Sequence, residues 1–312
     1  MVAGLGLLVG VNALAAMHAR SFLYFGPPGE RTTSPESIGP IEAAKVLVTG
    51  PTLPRPVERT DPLRALGRPF VEHTVESADG TRLASWSLAS DLEDSVGTAI
   101  LLHGYGGCRD ELLGVADWFL RRGWRVELPA FRGAGASEGD HTTLGWHEAE
   151  DVDAIARFVR SEHDGPVIAY GFSMGAVAAI GAAGRLDAPL DAVIAEAPYA
   201  SLVDTVGQRF ALLGLPTTPG AELLVGWGSV WTGFDAFSLR PVDHAAGVQV
   251  PTLVLSGADD QRAPPADGAA IAAGIPVHGR HVVLEDTGHQ LGLSTRPQRW
   301  SAEVDRLLRQ VR

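Results

Sequence analysis

A serine hydroxyl attacks a carbonyl only when a base takes its proton, an acid holds that base, and N–H donors meet the charge that builds on the substrate oxygen. The chain offers residues for each task. Gly171-Phe172-Ser173-Met174-Gly175 is a G-x-S-x-G pentapeptide. In that pattern a strand reverses into a helix so tightly that the positions two before and two after the serine have almost no room for a side chain. With 37 glycines in 312 residues the pattern is weak alone, and a second copy occurs at Gly135-Ala136-Ser137-Glu138-Gly139. Context separates them. The apolar run 167–170 feeds straight into Gly171, and the alanine-rich run 176–183 continues as a helix. Ser137 instead follows the glycine-punctuated loop 131–135, with no helix start before about Leu144. Ser173 is the expected nucleophile and Ser137 a loop residue.

For the oxyanion, His103-Gly104-Tyr105-Gly106-Gly107 follows the apolar run 98–102. Glycines there let backbone N–H groups converge on an oxygen; the expected donors are the amides of Tyr105 and Met174, the latter at a helix N-terminus. Gly104, Gly106, Gly171 and Gly175 are expected to shape these turns, and the side chains of His103 and Tyr105 to support the loop or wall a pocket. Ten histidines compete for the base. Only His289, in Gly288-His289-Gln290, lies in a loop between the last expected strand and the last helix; His281 falls in a strand and His147 in a helix, and both read as structural. For the acid, the turn 256–264 presents Asp259 and Asp260, of which Asp260 is preferred, and Glu196 ends an earlier strand as a third candidate.

The elements that must position these residues follow from apolar periodicity. Runs 71–77 and 82–88 flank Asp79-Gly80, a hairpin signal. Continuous apolar runs at 98–102, 125–128, 167–170, 192–195, 252–256 and 281–284 suit strands buried on both faces. Between them lie helical stretches: 111–121, one carrying Val152, Ile155 and Val159, and a last one carrying Trp300, Val304, Leu307 and Val311. Strand, helix, strand in repetition predicts an α/β fold, a mostly parallel central sheet opened by an antiparallel hairpin, with helices on both faces. Ligands bind such sheets beyond the carboxyl ends of the strands. Each candidate residue follows a strand.

From about Val71 to the C-terminus the chain resembles the α/β-hydrolase superfamily, within it the branch of serine esterases and serine aminopeptidase-like (S33-like) hydrolases. The resemblance rests on the His103-to-Gly107 loop, the loop Arg132-Gly133-Ala134-Gly135-Ala136-Ser137-Glu138-Gly139, the elbow at Ser173, the Gly257-x-x-Asp260 turn and the Gly288-His289 loop, in that order. Ser173, Asp260 and His289 also follow the Ser, Asp, His chain order of that fold. Relatives often carry an R-G-x-G-x-S loop that shapes the site without attacking anything, which accounts for the second serine motif. Ala130 stands where relatives commonly have an aspartate, so the support of that loop differs here. The resemblance implies acyl transfer to water through a Ser173 acyl-enzyme, and the apolar residues between Glu196 and Val250 favour carboxylic esters over peptide or other amides as substrate. A catalytically silent binding module on the same fold is the alternative of another class.

Composition limits the rest. Lys plus Arg number 25 and Asp plus Glu 37, a net charge of −12, which is the wrong sign for a partner of nucleic acid. A lone cysteine, Cys108, builds neither an intramolecular disulfide nor a cysteine zinc site, and there is no H-E-x-x-H and no dinucleotide fingerprint. No metal and no cofactor is therefore expected, and the partner is a small-molecule ester or amide. Residues 1–19 contain no charged side chain, and Arg20, Phe22, Tyr24 and Phe25 follow. This pattern predicts an N-terminal membrane anchor over residues 1–25, with membrane association through residues 2–19; a cleaved signal or an apolar helix lying on the domain are the other readings, leaving the protein secreted or cytoplasmic. Nine of 21 prolines fall in residues 27–69, so 26–67 reads as a linker or wrapped arm with a short helix near 41–48. Residues 68–312 are the expected catalytic domain. Its short lid, about 199–247, carries Phe210, Leu213, Leu224, Trp227, Trp231 and Phe234, suited to an apolar acyl pocket or to a helix covering the sheet.

Overall fold

The structure is a computed structural model that describes all residues except Met1, Pro28, Ser34 to Glu36, Glu93, Val277 and Arg312, and no side chain before Val9. Two compact units are present: Met1–Arg55 with Ser201–Arg240, and Pro56–Ala200 with Pro241–Arg312. The second contains the sheet.

Eight strands, β1 (Val71–Glu76), β2 (Arg82–Leu88), β3 (Gly97–Leu102), β4 (Trp124–Pro129), β5 (Val167–Phe172), β6 (Ala192–Glu196), β7 (Thr252–Gly257) and β8 (Gly279–Leu284), lie in the order β1-β2-β4-β3-β5-β6-β7-β8. The hairpin β1–β2 turns at Gly80, whose φ of 87° needs a residue without a Cβ. β2 pairs antiparallel with β4, and from β4 to β8 every pair is parallel. Every residue of β3 and β7 is buried, as expected of continuous apolar strands covered on both faces.

Two cores flank the sheet. One packs the helices Glu148–Glu162, Met174–Arg185 and Pro265–Gly274 through Val152, Ile155, Ile180 and Ile271. The other packs Leu113–Leu120 and Pro297–Leu308 through Phe119, Trp300 and Val304. Trp118 meets Trp300 edge to face with ring centroids 5.0 Å apart. The expected helix 111–121 starts instead as a 3₁₀ turn, Arg109–Leu112. β3 is followed by a crossover to β4 on one side, whereas β5 lies on its other side. Strand order reverses at β3, so the loops after β3 and β5 open beside each other at the carboxyl edge.

The first unit joins chain segments far apart in sequence. Its long helix, Val2–Leu23, lies against the helix Gly220–Thr232. The Trp231 indole donates to Ala16 O at 2.9 Å, the Tyr24 hydroxyl donates to Trp231 O at 3.1 Å, and the Arg20 guanidinium lies 4.8 Å from the Tyr24 ring centroid. Residues 26–55 carry the helix Pro40–Thr49, and Gly26 pairs with the segment around Leu53. The helix Leu202–Leu212 is capped by Ser201, and its Phe210 packs where Gly220 has no side chain.

The membrane-anchor expectation is corrected here. No helix among the described residues is long and apolar enough to cross a membrane. Although Val2–Leu23 has the length, Gly4, Gly6, Gly10, Asn12, His18 and Arg20 dilute its apolar character. The membrane-anchored localisation, the transmembrane helix and the membrane association through residues 2–19 lose their basis. Ala19 and Leu23 of this helix are buried instead.

Candidate active site

Ser173 stands between β5 and the helix Met174–Arg185 with φ 54° and ψ −114°, a conformation that side chains avoid unless the surroundings impose it. Three bonds impose it. The Ser173 amide donates to Glu196 O at 2.8 Å, and Ser173 O accepts from the amides of Ala176 and Val177. The flanking glycines are steric necessities. A Cβ on Gly171 would lie 2.3 Å from the Gly175 carbonyl carbon, and one on Gly175 would lie 2.2 Å from Leu102 O.

The structure brings Ser173, His289 and Asp260 into one hydrogen-bonded chain. Ser173 Oγ lies 3.0 Å from His289 Nε2, and His289 Nδ1 lies 2.8 Å from Asp260 Oδ2. The other carboxylate oxygen, Asp260 Oδ1, accepts from the amides of Arg262 and Ala263 at 2.8 and 3.0 Å. An acceptor on that side requires His289 to carry its proton on Nδ1, so the Nε2 lone pair faces the hydroxyl. Asp259 is exposed, and its amide donates to Thr287 O, which ties the aspartate turn to the histidine loop. Phe172, a residue sequence reasoning had not singled out, sets its ring 5.2 Å from the His289 ring.

Glu196, the third candidate acid, has a different task. It is buried and accepts from the Tyr170 hydroxyl and the Trp300 indole at 2.7 Å each, and from the Gly292 amide. Burial raises its pKa, against the bonds it accepts. It thereby staples β6 to the segment just after His289.

Met174 follows Ser173 in the chain, and Tyr105 lies in the loop after β3. Met174 heads a helix, where first-turn amides have no intrahelical acceptor. Tyr105 lies in the turn closed by the Gly107 amide on Gly104 O at 3.2 Å, with Gly106 at φ 66°. Register puts Leu102 opposite Gly171, and Gly104 packs against Phe172 and Ser173, so this turn and the serine are neighbours. His103 anchors the turn. Its Nε2 accepts from the Phe131 amide at 3.0 Å and its Nδ1 donates to Gly104 O at 3.0 Å, a pairing that only the neutral ring can make. Burial pushes its pKa down to about 4.

Ser137 of the second motif is fully engaged: its Oγ donates to Ala130 O at 2.7 Å and accepts from the Ala84 amide at 2.9 Å. Its loop is fastened by the buried pair of Arg132 and Asp151, with Asp79 on the outer side at 2.7 Å. Burial opposes charge on Asp79, but Arg132 and Thr81 hold its carboxyl well below the ordinary range. His281 bonds Ser256 Oγ at 3.0 Å within the sheet edge. Among the described residues no three His, Cys, Asp or Glu side chains gather as metal ligands would.

Comparison with known proteins agrees with this architecture. The family model described as serine aminopeptidase, S33, matches residues 93–224. The chain is 27% identical over 194 residues to the uncharacterized protein YqkD of Bacillus subtilis, an alignment covering 61% of this chain and 63% of YqkD, somewhat under two thirds of that protein's length. It is 27% identical over 237 residues to the uncharacterized protein Rv2307c of Mycobacterium tuberculosis, covering 75% and 76%. Among solved structures the Pyrococcus furiosus esterase Pf2001 matches in fold with a TM-score of 0.67 at 21% identity, over 83% of this chain and 97% of the esterase. A mostly parallel sheet whose strand order reverses at β3, shared in fold with that esterase, gives this chain the α/β-hydrolase fold.

Proposed function

We propose that the protein is a serine hydrolase that cleaves small carboxylic esters through an acyl-enzyme on Ser173. The observation that carries this reading is the chain from Ser173 Oγ to His289 Nε2 at 3.0 Å and from His289 Nδ1 to Asp260 Oδ2 at 2.8 Å. Ser173 Oγ bonds to the substrate carbonyl carbon while its proton passes to His289 Nε2. The carbonyl oxygen becomes an oxyanion facing the amides of Tyr105 and Met174, and Asp260 stabilises the imidazolium without taking its proton. As the tetrahedral species collapses, the carbon–oxygen bond to the alcohol breaks and the alcohol leaves with the proton from Nε2. Water then attacks the acyl carbon, gives its proton to Nε2, and the second collapse releases the acid and restores the Ser173 hydroxyl. No cofactor enters this scheme.

Fluorophosphonate labelling tests the mechanism. Wild type and Ser137→Ala should label, and Ser173→Ala should not, with its kcat lower by roughly 10⁶. Labelling retained in Ser173→Ala, or absent from folded wild type, would sink both the mechanism and the choice of serine, and the latter would favour a silent binding module.

The description of the family model as a serine aminopeptidase supports a second reading, hydrolysis of amides by the same residues. A chain-length series of p-nitrophenyl esters set against aminoacyl anilides decides between them. The proposed esterase turns over the esters with the higher kcat/KM; faster cleavage of the anilides would replace it with the peptidase.

A further inference from the structure

The turn that carries the Tyr105 amide is built from glycines, which offer the backbone little resistance to rotation. Its donor is aimed in part by what holds the two ends. The front end is His103. The back end is Arg109, four residues beyond Tyr105, whose guanidinium is 2% exposed and lies 3.8 Å from the Trp86 ring centroid. Arg109 Nε donates to Glu58 Oε1 at 2.7 Å and Nη2 donates to Glu72 Oε1 at 2.6 Å. A buried guanidinium cannot release such partners without leaving its charge uncompensated, so its backbone is held in place.

Glu58 belongs to a short strap, residues 56–59, that opens the sheet-bearing unit. The strap is fastened to both glycine loops. The Gly135 amide donates to Pro56 O at 2.8 Å, the Arg59 amide donates to Asp110 Oδ2 at 2.8 Å, and a Cβ on Gly135 would lie 2.4 Å from Glu58 Oε1. We infer that the Glu58–Arg109 pair is a positioning device that fixes the Tyr105 amide for the oxyanion, an inference that rests on the acyl-enzyme reading above. Neither residue touches the reacting atoms. Their effect falls on the charge that develops in the transition state and leaves substrate binding alone.

The test uses the full chain and two mild variants, Glu58→Gln and Arg109→Lys, each with its folding checked by near-ultraviolet circular dichroism. With a p-nitrophenyl ester, kcat should fall by about 10- to 100-fold, less than the loss of a whole oxyanion donor, while KM changes by less than about twofold. Affinity for a trifluoromethyl ketone, which forms a tetrahedral adduct, should fall by the same factor as kcat. The double variant should lose little more than the worse single one, since both cut the same link. Folded variants with wild-type kcat and wild-type ketone affinity, or a loss confined to KM, would overturn the positioning role. If Arg109→Lys does not fold, Glu58→Gln decides alone, because its carboxamide keeps the shape and an acceptor. Fluorophosphonate labelling run in parallel separates the two levels: labelled wild type with an unimpaired Glu58→Gln overturns only the positioning device, whereas unlabelled folded wild type overturns the acyl-enzyme reading and this inference with it.

Discussion

One oxygen of Asp260 is committed to two backbone amides and the other to His289, so its orientation is fixed before any substrate arrives. Asp260→Asn should therefore keep the fold yet present an amide where an acceptor is needed, favouring the wrong imidazole tautomer and lowering kcat by about 10⁴. Asp259→Asn, at an exposed position, should change kcat by less than about twofold. Equal effects in the two variants, read with one p-nitrophenyl ester, would remove Asp260 from the mechanism. That Ser173, Asp260 and His289 come together could be read from the sequence because each lies in the loop or turn after a strand, and strand ends converge at one edge of such a sheet. Arg109 with Glu58, and Glu196 with Trp300, were not. Those partners are 51 and 104 residues apart, and no local spacing announces such a pairing. Glu196 was visible as an acid at a strand end, but only its three donors reveal a staple in place of a triad member.

At the level of elements, the strand-to-helix turn is a packing solution as much as a chemical one. Gly175 lets the helix Met174–Arg185 rest against the end of β3, and a methyl group there would meet Leu102 O at 2.2 Å and His103 O at 2.8 Å. Gly175→Ala should cost at least about 3 kcal/mol, through strain at both backbone segments. Gly114→Ala is the contrast. It sits on an exposed helix face with nothing within 4 Å of the new methyl, and should stabilise by about 0.5–1 kcal/mol. Urea denaturation of both variants measures the difference, and a Gly175→Ala protein as stable as wild type would refute the steric account. The buried strands and the hairpin could be read from apolar runs and Asp79-Gly80 because burial on two faces leaves a compositional trace. The partner of the first helix left none. Apolar side chains along a helix suit a lipid and a neighbouring helix equally, and only Trp231, Tyr24 and Ala16 in contact decide the matter.

The stability of the whole molecule carries a pH signature to which one buried ring contributes. His103 titrates near its ordinary 6.5 when unfolded, and burial lowers it to about 4 in the folded protein. Between those values the unfolded chain binds the extra proton and the folded chain does not, so stability rises with pH across the window. The contribution is complete above about pH 6.5 and is lost as pH falls through 4, an amount of about 3 kcal/mol. His103→Gln should flatten the pH dependence of unfolding free energy between pH 7 and 4 by that order, measured by urea titration at several pH values. Identical slopes in the two proteins would remove His103 as the source.

The first unit is also assembled from the beginning of the chain and a segment from its later half. The contact between Ala16 and Trp231 spans 215 residues. At about 5–20 residues per second of synthesis, the first helix leaves the ribosome on the order of ten to forty seconds before the helix that receives it exists. For that interval the helix has only the nearby Pro40–Thr49 segment as a native neighbour, through His18 on Leu47 O, and the face that will receive Gly220–Thr232 stays uncovered.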